Sequence, residues 1–512
     1  MEPGLAAALY TAETAVQGAV VSGLAIARST VPLNARFYRL PSPSPALKRA
    51  SHTLNVIKGK AYILGGDGDT VGRNGDAAMH VITLPTDLVL RDTDYQKIPA
   101  VGKPVKPVKP VLDADDGVEK TSRSNAQSVE QNENVPAARA GHSACTIGER
   151  IYVFGGSNVT GSSDPTAPPN SPLEEDGKVY VFDTIDKTWE VLLPSEQGRR
   201  DGVPRPRNYA SSSSTTHPVP IKEGGHKNVD DLMTEEAKLR LVSARQGEDF
   251  TATDDQQPEG YGTLFVHGGY DSDWNLLRDL WAFDVASRIW SRWPDLPKSD
   301  AGDGEGNICC IESRIWRSGD GFGKIAHFEV VRNQFDDMSG KGELGVSPKT
   351  GKWETHAFGV KPGQEELEEK VEKKMGGKPT NTESLFPAQR KRSGFVPVTT
   401  GQGRDYLLLF MGENGPHEFI DDIWSFQIAS EKGSAAAFKD TVRAKIGKET
   451  GVEQWAKASV IESSKEDGAL EFPRGLSRFG SSPTGDSIGD VLIWGGIGPD
   501  GMSGDGWILT VE

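Results

Sequence analysis

Cysteine is scarce in this chain: 512 residues contain three, Cys145, Cys309 and Cys310. So sparse and odd a set builds no disulfide framework and fits a reducing compartment. It also leaves too few thiols for a four-cysteine zinc site. Basic residues are outnumbered, 57 against 73 acidic ones, for a formal net charge of −16. That balance argues against nucleic acid as a partner, because phosphates need a basic face. The first 28 residues contain Glu2 and Glu13 and no early Lys or Arg, so they lack the positive start of a secretory signal. Their apolar stretch is too short to cross a bilayer. Leu5, Leu9, Ala12, Val16, Val20 and Leu24 share one helical stripe, so residues 1–30 are expected to form an amphipathic helix resting on the body of the protein. Its polar face lacks the cations that would attach it to anionic lipid. Together these absences predict a cytoplasmic protein without integral membrane association, and a monomer.

Enzyme motifs are absent too. There is no phosphate-binding loop, no H-E-x-x-H zinc helix and no G-x-S-x-G nucleophile elbow. No catalytic residue, cofactor or metal ligand is nominated, and the reading leans away from an enzyme.

Glycine, by contrast, is abundant at 59 residues, and 11 tryptophans recur along the chain. One unit begins with Gly141-His142-Ser143-Ala144-Cys145-Thr146-Ile147, turns at Gly148-Glu149-Arg150 and continues as Ile151-Tyr152-Val153-Phe154-Gly155-Gly156. Lys178–Asp183 reads as its third strand and Lys187–Leu192, around Trp189, as its fourth. The pattern returns at Ala61–Gly66, Leu264–Gly269, Leu407–Gly412 and Val491–Gly496, and in eroded form at Arg314–Asp320. The last copy ends after its third strand, Gly506–Val511. Ala35–Pro41 has the aromatic and terminal proline of the missing fourth, so the N-terminal strand is expected to close the ring and remove its open edges.

The double glycines, the Tyr or Trp some distance on and the later Trp resemble kelch repeats of the galactose oxidase-like propeller superfamily, over most of residues 35–512 outside the insertions. The long insertions are similar to those of fungal kelch proteins. The resemblance implies an all-β fold, a six-bladed kelch β-propeller occupying residues 31–512. Inserted arms fall at about 100–135, 218–258, 360–385 and 430–450, with short rim helices at 230–246, 364–375 and 435–447. It implies nothing firm about activity. The copper site of galactose oxidase needs a crosslinked cysteine, and these three cysteines fall in first or second strands. The Glu-x-x-x-Asp-x-x-x-His iron motif of plant specifier proteins has no counterpart.

Arg49, Arg139, Arg207, Arg392 and Arg478 are read as opening the first strand of five blades, a ring of cations at one mouth of the axis. In kelch proteins that bind acidic peptides, arginines at this kind of position contact the ligand. The alternative is that each pairs with a carboxylate or carbonyl nearby. Loops after the second strands bring Asp67, Ser157, Tyr270 and Glu413 to the same mouth, with Asp69, Asn158, Asp271, Asp273, Trp274, Asn414 and Asp500 beside them. All of these also suit turns. His52 and His142, at matching positions, point to packing rather than a shared metal. The expected function is a scaffold for a protein partner or a small anionic ligand. The alternative is a cofactor-free isomerase or cyclase acting in the central pocket.

Overall fold

A run such as Ile151-Tyr152-Val153-Phe154 has no polar side, so it must be buried on both faces of its sheet. In the computed structural model it is. Ile151 and Val153 pack with Tyr62, Val81 and Ile98 of the preceding unit, while Tyr152 and Phe154 pack with Leu264, Trp281 and Trp290 of the next. The structure describes residues 32–512, apart from short gaps and the segments 104–133, 160–170, 218–259, 298–304, 336–342, 357–385 and 462–472. The expected N-terminal helix and the rim helices at 230–246 and 364–375 lie outside the described residues.

Six sheets of four or five strands follow one another as blades. From the axis outward, blade 1 is Thr53–Ile57, Lys60–Leu64, Met79–Thr83 and Tyr95–Ile98. Blade 2 is Ser143–Ile147, Arg150–Phe154, Val179–Asp183 and Thr188–Leu192. The inner strands of blades 3 to 6 are Ser211–Thr215, Ile308–Ile311, Gly394–Thr399 and Gly480–Pro483. Each of six apolar clusters fills the space between two adjacent blades.

The ring closes as expected. Asn34–Leu40 pairs antiparallel with Gly506–Val511, from Ala35 opposite Val511 to Leu40 opposite Gly506. Arg39 adds a charged clasp, donating through Nε and Nη2 to Asp505 at 3.0 and 2.6 Å. Fourth-strand tryptophans reach back to the preceding blade. The indole N–H of Trp290 donates to the Gly177 carbonyl, that of Trp353 to Pro294 and that of Trp455 to Gly323. The helix Ala435–Lys445 matches the third expected rim helix, and Asp440 ties it to Arg404 and Gln427 of blade 5. A second short helix, Glu196–Asp201, is capped by the Ser195 hydroxyl. In blade 4 the outer hairpin is unusually long, Ile325–Phe335 against Glu343–His356.

The double glycine makes the seam between blades. The N–H of its second member donates to a carbonyl of the following blade: Gly66 to Arg139, Gly156 to Arg207 and Gly496 to Arg49. A side chain there has no room. A Cβ on Gly66, at φ +90°, would stand 2.6 Å from the Ala50 oxygen and 2.7 Å from the His52 Cβ. Gly403, at φ +72°, has open space around it. We therefore expect Gly66→Ala to cost about 3 kcal/mol in chemical denaturation and Gly403→Ala about 1 kcal/mol. Equal losses would mean that backbone torsion, not crowding against Ala50 and His52, demands the glycine.

Candidate functional site

Three of the expected arginines are structural anchors. Arg139 is 1% exposed and Arg207 is fully buried. Arg139 donates to the Gly155 carbonyl and, through both terminal nitrogens, to Glu175 at 2.9 and 2.7 Å. Arg207 repeats this with the Gly268 carbonyl and Asp279, at 2.6 and 2.9 Å to the carboxylate. Arg49 meets the Gly65 carbonyl and Asp76, with His80 and Lys97 sharing that carboxylate. A fork-shaped guanidinium suits this double task, holding the glycine corner and the start of the third strand together.

The five arginines do not occupy one repeat position, which corrects the single-ring expectation. The blade 5 residue that matches Arg139 is Arg390, bound to the Met411 carbonyl and to Asp422 at 2.6 Å. In blade 6 the matching residue is Leu476, whose carbonyl accepts from the Gly412 N–H. Arg392 and Arg478 stand two residues further on, aligned with Ser51, Gly141 and Tyr209. All five of these aligned residues have left-handed φ between +53° and +62°. Sequence reading slipped by two because a two-residue shift preserves the alternation of a strand. The signal that separates the positions is the acidic partner, most legible in Asp279-Leu280-Trp281 and Asp422-Ile423-Trp424.

The left-handed residues form the rim of the mouth. Their backbones are chained around the axis: Ser51 N–H donates to the Arg478 carbonyl, Gly141 N–H to Ser51 and Tyr209 N–H to Gly141. Their side chains reach toward one another. The Tyr209 ring lies over Gly141, and the Arg392 guanidinium sits 5.5 Å from the centre of that ring. Arg392 bonds Glu413 and lies 3.7 Å from Glu305, a blade 4 residue. Arg478 is half-buried and makes no ion pair among the described residues. The Oγ atoms of Ser51 and Ser477 are buried there without a hydrogen-bond partner.

The structure therefore brings Arg392 and Glu413 together, places Arg478 at the equivalent rim position of the next blade, and gives Arg49, Arg139 and Arg207 a different, anchoring position. Asp67 pairs through its backbone with Ala50, and the buried Ser157 bonds the Ala140 carbonyl. Tyr270 pairs through its backbone with Asn208, and its ring lies tilted beside Trp274. Asp271 serves its own turn, accepting from Asp273, Asn275 and the Asn275 amide. Asp69 lies outside the described residues.

Sequence reading missed Arg390 and Arg317. Arg317 comes from the second strand of blade 4, fills the space beside Gly306 and donates to His267 at 2.9 Å. The Ser211–Ser214 run was also missed. Ser211 and Ser213 accept from Ile308 N–H and Cys310 N–H, joining blades 3 and 4 through side chains.

The buried histidines are held neutral. Burial, with Arg49 nearby, pushes His52 down to about 3, and burial with Arg317 does the same to His267. Burial raises the Cys145 thiol to about 12, and all three cysteines are free. Among the described residues no cluster of three or more His, Cys, Asp or Glu could hold a metal, and no helix is long and apolar enough to cross a membrane.

Two charge tests follow. Glu175→Gln strands the Arg139 cation in the interior and should cost about 3 kcal/mol or more. Arg478→Gln should change stability by less than about 0.5 kcal/mol. Similar losses in urea titrations would erase the distinction between the two arginine positions. The histidines set a pH dependence. The unfolded chain takes up their protons below 6.5, whereas the folded chain resists until about 3. Stability is thus full above pH 6.5 and falls as pH drops toward 3, by up to about 1.4 kcal/mol per pH unit for each histidine. A Tm that does not move between pH 7 and pH 5 would contradict this.

Comparison with known proteins gives two matches to the Kelch motif, at residues 138–192 and 260–297. These are blade 2 and the outer strands of blade 3. The chain is also similar to an N-(sulfonatooxy)prop-2-enimidothioate sulfolyase of Thlaspi arvense, 23% identical over 211 residues. That match covers 38% of this chain and 56% of the relative, so the chain spans little more than half of the relative's length.

Proposed function

We propose, from the premise that this chain is a six-bladed kelch-repeat propeller and so has a fold that supports protein interaction in general, that it is a scaffold whose axial mouth holds an anionic group of its partner. The observation that carries this reading is Arg478. It is a half-buried cation at the rim with no carboxylate among the described residues, although its chain carries an excess of acid. Arg392 stands on the same rim, oriented by Tyr209, Glu305 and Glu413. With its two carboxylates Arg392 forms a cluster of net charge −1, so the attraction for an anion falls to Arg478 and Arg392 contributes only its remaining N–H donors. Partly desolvated guanidinium groups bind carboxylates and sulfates in two-pronged fashion. The free thiols fit a reducing, cytoplasmic setting.

The relative's name supports a second reading. Its substrate carries a sulfonatooxy group, a small anion of the kind that Arg478 would take. On that reading the mouth is a pocket for a small organic molecule, and Glu413, bonded to Arg392, would serve as the base.

Titrating the full-length protein with a glutamate-rich peptide and with a small aryl sulfate separates these readings. The scaffold reading expects peptide binding that weakens about tenfold in Arg478→Gln, and no turnover of the sulfate. Conversion of the aryl sulfate, lost in Arg478→Gln, would favour the enzyme. Binding of either ligand that is unchanged in Arg478→Gln would remove the mouth from both readings.

A further inference from the structure

Ten of the eleven tryptophans are at most 8% exposed, each packed within or between blades. Trp274 is 46% exposed. It falls outside the repeat positions, on the loop after the second strand of blade 3, so the propeller does not need it for packing. Nearly half of the indole is left in solvent, and the loop is nevertheless built around it.

That loop is rigid. Tyr270 exchanges both backbone hydrogen bonds with Asn208, which anchors the loop to the start of the inner strand. Leu277 N–H returns to the Gly269 carbonyl at 2.8 Å. Between them, the Asp271 carboxylate accepts from Asp273 N–H, Asn275 N–H and the Asn275 amide at 3.0, 2.9 and 3.2 Å. Trp274 N–H donates to the Asp271 carbonyl at 3.1 Å, and Trp274 itself is held at φ +59°. A bulky residue is seldom kept in that backbone region without support. Asp271 supplies the support, so the indole is presented in a fixed place before any contact is made. Ordering in advance is what lets a single aromatic contribute strongly to an interface.

The chemistry around the indole selects the partner. The Tyr270 ring stands 5.7 Å from it at 50°, giving two aromatic walls that are not coplanar. The Asp273 side chain is exposed immediately before it. Arg205 faces Asp271, whose oxygens are taken up by the loop. Two ring faces beside an open carboxylate form a seat for a cation, by quadrupole attraction and charge pairing together.

We infer that the Tyr270–Trp274 loop is an anchor for a partner protein that presents Arg or Lys side chains, at a site separate from the mouth arginines. A carbohydrate stacked on the indole is the competing occupant, and it requires no charge.

The test uses the full chain with an oligo-arginine peptide and a neutral oligosaccharide, followed by tryptophan emission and calorimetry. The peptide is expected to change the emission of the one exposed indole. Trp274→Ala should weaken binding about tenfold and Trp274→Tyr much less, while Asp273→Asn lowers both affinity and salt dependence. Arg478→Gln leaves this binding intact, so the site stands or falls independently of the mouth. Peptide binding that is equal in Trp274→Ala would overturn the inference, as would a response to the oligosaccharide alone. So would a fall of many degrees in the Tm of Trp274→Ala, which would make the indole a packing residue.

Discussion

One hydrogen bond recurs at four seams among the described residues and makes the rest possible. A glycine N–H crosses to the carbonyl of the residue that opens the next blade: Gly66 to Arg139, Gly156 to Arg207, Gly412 to Leu476 and Gly496 to Arg49. The same opening residue usually carries an arginine, whose guanidinium holds its own blade's glycine corner and an acid beside the third strand. One position therefore ties a blade to its neighbour through the backbone and to itself through the side chain. Side chains also join blade 4 to its neighbours: Arg317 reaches His267, Ser211 and Ser213 accept from the blade 4 backbone, and Asn307 donates to the Ser393 carbonyl.

The sequence was most legible where geometry leaves one solution. Glycine doublets, alternating strands and a lone fourth strand near residue 35 admit few arrangements other than a closed ring. The register of the rim was harder, because Arg390, Lys391 and Arg392 offer two arginines of the same strand parity. Only the acid across the blade, Asp422, shows which one is the anchor. Arg317 left even less trace, since it sits in a strand position that is apolar in the other blades. Its role depends on Gly306 and His267, brought to it by the fold.

On the mouth face, chemistry departs from the repeat in two places and in opposite senses. The rim at Arg392 and Arg478 carries half-buried guanidinium groups, one paired with two carboxylates and one without an ion pair among the described residues. The loop of blade 3 is aromatic, acidic and raised into solvent. A six-fold architecture thereby acquires a direction. A ligand or partner that meets both zones has one orientation, fixed by which blade carries which departure.

Closure by the N-terminal strand has a consequence for how the protein is made. Arg39 and Asp505 are 466 residues apart in sequence yet share a short ion pair. During synthesis, Asn34–Leu40 is made long before its antiparallel partner Gly506–Val511. Until that partner is made the sixth blade is incomplete, a state in which exposed edges invite wrong pairings. Closure of the ring therefore waits for Gly506–Val511, and Asn34–Leu40 is the segment that a chaperone would have most reason to shield.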